Sequence, residues 1–257
     1  MLLDRISIKR EAKGIVKSAR VSAYLFTLLF LAITWLLAGA SDYVSLNEEM
    51  VYNIYYSTGV DLSFLILHRT FPALLVTFVS IMVLLLRILL NAGCYLYHLG
   101  IRRGQEMPYL TLFDGFSFAG KLILLSIVEA IFIFLWSLLF IIPGIVAAYR
   151  YRFAVYNLCE NPDMGVMEAL NMSKAQTAGF KWQLFVLDLS FIGWQLLCGL
   201  TLGILSIWIT PYVVQTDIGF FQQIKTVKGI GWTPGQPEPD HTFRPHDPFD
   251  NTDNSGM

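Results

Sequence analysis

Charge is scarce in this chain. Lys, Arg, Asp and Glu make up 14% of its 257 residues, against about 25% in an ordinary soluble domain, so the usual water-soluble surface is excluded over most of its length. Cysteine is scarcer still. Cys94, Cys159 and Cys198 are far apart and form no CxxC pair, which argues against a disulfide framework and a zinc ribbon; they read as small apolar side chains. No HExxH, GxSxG or P-loop pattern occurs, so the hydrolase, metalloprotease and nucleotide-hydrolysing signatures are missing. The expectation is a non-enzymatic protein with no cofactor, no metal and no nucleic-acid partner. His241 and His246 with Asp247 match no metal-site spacing.

Apolar length is what the chain has instead. It is 55% hydrophobic with a mean hydropathy of +0.57. Residues 22–40 carry no charge at all, and about 20 such residues in a helix cross a bilayer core roughly 30 Å thick. The basic stretch before them is too long, and the apolar run too extended, for a cleavable signal peptide, so 22–40 reads as a retained first span. Further spans are expected at 71–97, at 121–142 ending in Pro143-Gly144, at 144–159, at 181–209 ending in Thr210-Pro211, and at 212–225. The fold class is therefore all-α: a polytopic membrane bundle of about six helices in three hairpins, with the third and fifth spans broken by proline.

Polar residues divide this plan into three parts. Residues 1–21 hold Arg5, Lys9, Arg10, Lys13, Lys17 and Arg20 against Asp4 and Glu11, a net of 6 − 2 = +4. Lys9, Lys13, Lys17 and Arg20 follow helical spacing, with Ile6, Ile15, Val16 and Ala19 free to turn away from them. That pattern suits an interfacial helix on anionic lipid, and also a plain positive flank that fixes orientation. Both readings put the N-terminus in the cytoplasm. Residues 22–228 form the helical membrane domain. The 41–70 loop, net −3 with Tyr43, Tyr52, Tyr55 and Tyr56, is expected outside, and Arg102 and Arg103 inside. A surface helix is expected over 161–179, capped by Asn161 with Pro162 in its first turn and ended by Gly179. Residues 229–257 are rich in Pro, Gly, Asp and Asn and form a disordered tail.

A family resemblance rests on Ile142-Pro143-Gly144-Ile145, Asn161-Pro162-Asp163, Glu168-Ala169-Leu170 with Ser173-Lys174, Gly179-Phe180-Lys181-Trp182, Leu187-Asp188-Leu189-Ser190-Phe191-Ile192-Gly193-Trp194, Leu200-Thr201-Leu202-Gly203-Ile204 and Pro211-Tyr212. This ordered set resembles the bacterial multi-pass membrane family known as domain of unknown function 975, over roughly residues 1–225. Arg150 and Arg152 depart from the pattern, as does Phe220-Phe221. The resemblance implies a bacterial envelope location and no established activity; the positive flank and the even number of spans add the expectation of a cytoplasmic-membrane protein with both termini inside.

Charges inside a bilayer need a partner, a wet cavity or a route to the interface. Glu129, nine residues beyond Gly120, falls about 13 Å into its span; Arg87 lies ten residues before Tyr97, and Arg150 seven beyond Pro143. An intramembrane cluster of Arg87, Glu129, Arg150, Arg152 and Asp217 follows, serving either as a proton, ion or anion pathway or as ion pairs that hold helices together. Asp188 is expected at the inner interface, bonded to Ser190 or paired with Lys181. Gly199 and Gly203 form a GxxxG step for close helix packing, within the chain or between copies. Trp182, Trp194 and Trp208 read as interface and packing residues. The function expected is contact with lipid or with another protein, the alternative being a small transporter or channel that uses Glu129 and the intramembrane arginines; partners are then the lipid bilayer and either another membrane protein or a second copy. Aligning Pro143 with Pro211 superposes Tyr149 on Asp217 and Phe153 on Phe221, a trace of internal duplication.

Overall fold

The computed structural model describes residues 3–45, 48–59 and 71–231, and every regular element among them is helical. The tail beyond Gly231 and its histidines lie outside the described residues, as do residues 46–47 and 60–70 of the loop expected outside. The helices are α1 (Arg5–Ser18), α2 (Ala23–Ser45), α3 (Glu48–Thr58), α4 (Ala73–Arg102), α5 (Ala119–Leu139), α6 (Ile141–Tyr151), α7 (Ala154–Glu160), α8 (Val166–Thr177), α9 (Lys181–Leu189), α10 (Ile192–Leu200) and α11 (Ser206–Lys228). A 3₁₀ segment, Tyr109–Phe118, leads directly into α5.

Four stretches among the described residues are long and apolar enough to cross a membrane: Ala23–Ser45, Ala73–Arg102, Tyr109–Leu139 and Lys181–Leu200. Their large side chains are widely exposed: Leu36, Leu74, Leu138 and Leu200 are each more than 70% accessible, the pattern of helices that present apolar surface to lipid. Six spans are not borne out. Together α6 and α7 are short and interrupted, and α11, though 23 residues long, carries Gln215, Asp217, Gln222, Gln223 and Lys225.

Proline placement also differs from expectation. The α5–α6 break falls at Phe140, whose backbone is extended, and Pro143 sits in the first turn of α6, where its missing N–H costs nothing. Gly144 lets that turn close on α5, since a Cβ there would meet Ser137 Oγ at 2.1 Å. Pro211 lies inside a continuous α11. The reversal predicted at Thr210-Pro211 occurs earlier, over residues 201–205, where Leu202 and Gly203 take φ of 52° and 83° and end the helix as left-handed residues do.

The tightest backbone approach joins α4 to the 3₁₀ segment. A Cβ on Gly93 would lie 2.0 Å from the Leu112 carbonyl oxygen, and one on Gly115 would lie 2.4 Å from that of Leu89. These two glycines, rather than the GxxxG pair, carry the close packing. Gly199 has open space around it, and Gly203 lies in a turn beneath the Trp35 ring.

Helix α8 begins later than expected. Gly165 is its N-cap and accepts Glu168 as a return partner, its N–H donating to Glu168 Oε2 at 3.3 Å. Asn161 instead closes a short turn by accepting from Asp163 N. Ser173 and Thr177 of α8 donate to the Arg150 carbonyl, and Ser173 accepts from Phe153 N, so α8 satisfies backbone groups freed where α6 gives way to α7.

Candidate functional site

Three residues one turn apart, Tyr149, Arg152 and Tyr156, straddle the α6–α7 junction and share one face of the chain. Opposite them stand Asp188 near the end of α9 and Asp217 in α11. The Arg152 guanidinium donates to Asp217 Oδ1 at 2.7 Å and Oδ2 at 2.8 Å, and to Asp188 at 2.5 and 2.9 Å. Tyr149 Oη donates to Asp188 Oδ2 at 2.8 Å and Tyr156 Oη to Asp217 Oδ2 at 3.2 Å. All three ionised side chains are largely withdrawn from solvent, 13% to 34% exposed. Burial strengthens such a network and raises the cost of removing any one member.

These residues line a cavity of about 600 Å³, completed by Tyr95, Glu129, Ile145, Ala148 and Val155. Glu129 reaches it from the middle of α5. It has no hydrogen-bond or ion-pair partner among the described residues. With every acid ionised, three carboxylates face one guanidinium that two of them already hold, leaving the lining net negative. The tyrosine rings add aromatic faces that attract cations. Among the described residues, no group of three His, Cys, Asp or Glu side chains has the geometry of a metal site.

The structure thus brings together Glu129, Arg152 and Asp217 of the anticipated cluster and separates the other two. Arg87 is exposed on α4. The Arg150 guanidinium carbon lies 5.5 Å from the Trp136 ring centroid, and Arg150 forms no ion pair among the described residues. Asp188 corrects its expected place: Ser190 Oγ donates to the Leu187 carbonyl and accepts from Lys9 Nζ, while Asp188 joins Arg152. The signal that would have found it was a lone acid inside an apolar helix, the same signal that singled out Glu129. Phe153 and Phe221, superposed by the proline alignment, contact each other with centroids 5.2 Å apart. Pro211 is buried, Tyr212 packs edge-on against Phe191, and Trp194 is exposed.

The basic N-terminal helix is less free than its sequence suggests. Asp4 caps it, accepting from Ser7 N and Ile6 N, which holds its carboxyl below the ordinary value. Ile8, Ala12 and Val16 are buried, and Ile8 packs on Gly219 of α11. The covered face is thus Ile8-Ala12-Val16, whereas Ile6 is 71% exposed. Lys9 Nζ bonds Ser190 Oγ at 2.6 Å and lies 4.3 Å from the Phe191 ring centroid; burial lowers its pKa. Arg20 contacts Glu106, and Glu11 pairs with Arg102 at 2.9 Å. Lys13 and Lys17 remain exposed.

Residues 139–228 match the model of the family described as Protein of unknown function (DUF975). The resemblance read from the sequence is borne out over this segment, which contains α6 to α11 and all five residues of the network, Tyr149, Arg152, Tyr156, Asp188 and Asp217; Glu129 lies ahead of it. Neither a curated protein nor a solved structure matches the chain.

Proposed function

We propose that the chain is a non-enzymatic, multi-pass protein of the bacterial cytoplasmic membrane, with both termini in the cytoplasm, and that its cavity binds a small cation or proton in the manner of a small transporter or channel. The observation that supports this reading is Glu129, a carboxylate without a partner among the described residues, lining a cavity whose Arg152 guanidinium is already held by Asp188 and Asp217. An acid placed so within a bilayer takes up a proton or a cation rather than remain charged alone. The test is flux in proteoliposomes loaded with a pH-sensitive dye, under imposed Na⁺, K⁺ and proton gradients. Loss of flux in Glu129→Gln, with an unchanged unfolding midpoint, supports the reading. Equal leakage by wild type, Glu129→Gln and empty vesicles removes it.

A second reading, contact with anionic lipid, is favoured by the exposed Lys13 and Lys17 on α1. Binding of the detergent-solubilised full chain to nanodiscs with and without anionic lipid, compared with the Lys13→Gln, Lys17→Gln double variant, tests it. Topology is tested separately by reporters fused after Cys159 and at the C-terminus: a cytoplasmic reading after Cys159 requires the short α6–α7 pair to recross the membrane, and an external reading there leaves four crossings.

A further inference from the structure

Arg87 is the middle residue of α4: fourteen helical residues precede it and fifteen follow in the 30-residue helix. It is exposed, and its guanidinium makes no hydrogen bond or ion pair with any described residue. A bilayer core takes up about 20 helical residues. With the middle of α4 centred there, Arg87 lies at mid-depth, and a window of about 20 residues slid to either end of the helix still holds it at least about 6 Å inside the core; Tyr97 is about 15 Å away along the axis. Escape by stretching to the headgroups at the C-terminal end is poorly served by helix geometry. Side chains tilt toward the helix N-terminus, away from the end where Arg102 and Arg103 pair with Glu11 and Glu160.

Arg87 is not alone on its line. Thr77, Ser80, Leu84, Arg87 and Asn91 recur at steps of three and four residues, the period of one continuous helix face, and all five are exposed. In the middle third of α4, over residues 83–92, Leu84, Arg87 and Asn91 are the exposed positions, and two of those three are polar. Asn91 Nδ2 donates to the Arg87 carbonyl, which leaves its side-chain oxygen available. A face made for lipid would carry leucine at these positions.

We propose that this face of α4 docks a transmembrane helix of another membrane protein, one carrying a carboxylate at the depth of Arg87. Charge decides the occupant. A second copy packed symmetrically through α4 sets Arg87 against Arg87. This chain's own mid-span carboxylate, Glu129, lines the cavity and does not lie on that face. A partner acid instead neutralises the guanidinium with charge-assisted, bidentate hydrogen bonds, and Asn91 and Ser80 supply interhelical hydrogen bonds above and below it. The proposal requires α4 to span the membrane and is independent of what the cavity binds.

The test uses the full chain in nanodiscs with a synthetic leucine-rich transmembrane peptide bearing one central Glu, read by energy transfer between labels. Peptides with Gln or Leu at that position are the comparison. We expect the Glu peptide to associate about tenfold more tightly than either, and Arg87→Leu to abolish the difference. Arg87→Glu should transfer the preference to a peptide bearing Lys. Equal association of the three peptides, or a Glu preference that survives Arg87→Leu, overturns the proposal. So does a dimer of the purified chain, seen by native mass spectrometry, that Arg87→Leu dissolves, because the face then belongs to a second copy. Unfolding midpoints of the variants, expected unchanged for so exposed a residue, separate docking from misfolding.

Discussion

Arg152 and Asp217 meet across 65 residues of chain, the guanidinium donating to both carboxylate oxygens while its remaining edge holds Asp188. One cation thereby ties α6, α9 and α11 together beside a cavity. Breaking such a pair from one side leaves an uncompensated buried charge, whereas removing both sides is far milder. We expect Arg152→Met to destabilise the protein by about 3–5 kcal/mol. Arg152→Met combined with Asp188→Asn and Asp217→Asn should recover much of that loss. Thermal unfolding in detergent, run as a mutant cycle, gives the coupling; additive losses would show that the network contributes nothing as a unit.

Glu129 stands apart from that network. Since Arg87 is exposed on α4 and Glu129 lines the cavity, the two should be energetically independent. We expect the unfolding midpoints of Glu129→Gln, Arg87→Gln and the double variant to combine additively within about 0.5 kcal/mol. A double variant that rescues a destabilised Glu129→Gln would instead reveal a direct ion pair.

Close packing of α4 against the 3₁₀ segment depends on the absence of side chains at two positions. A Cβ at Gly93 or Gly115 collides with backbone, which cannot rotate away as a side chain can. We expect Gly93→Ala and Gly115→Ala each to cost at least about 1–3 kcal/mol. Gly199→Ala, with open space around it, should leave the unfolding midpoint in place or raise it slightly.

The docked N-terminal helix offers a comparison within one element. Ile8 is fully buried on α11 and Ile6 is exposed. Ile8→Ala should cost about 2–4 kcal/mol and open residues 1–20 to protease, while Ile6→Ala changes neither. Acid should loosen the same helix. The folded-state pKa of Asp4 is depressed, so its cap is intact above the ordinary carboxyl value of 3.8 and is lost as pH falls through the lower folded value. Asp4→Asn, which keeps an accepting oxygen, should remove that pH dependence of protease protection.

Membrane class was legible in the sequence because it depends on local composition: an apolar run long enough to cross lipid needs no tertiary context. The functional region was partly legible for the same reason, since ionisable residues inside apolar runs stand out whatever they touch. Which of them meet was decided by three dimensions. Arg150 and Arg152 are two residues apart, about 200° around a helix, so one contacts Trp136 and the other Asp188 and Asp217. Proline and glycine signals were legible as punctuation but ambiguous in meaning. Pro143 could end one helix or begin the next, and the open backbone at Phe140 settled it. GxxxG spacing names residues that permit close approach, but the neighbour must also arrive. It arrived at Gly93 and Gly115, which no spacing pattern marked, because α4 and the 3₁₀ segment fold back on each other through a short connection. The chain alone thus determined its surroundings, water or lipid, segment by segment. The pairing of its buried charges, and the placing of Arg87 on an exposed helix face, followed from how the helices pack.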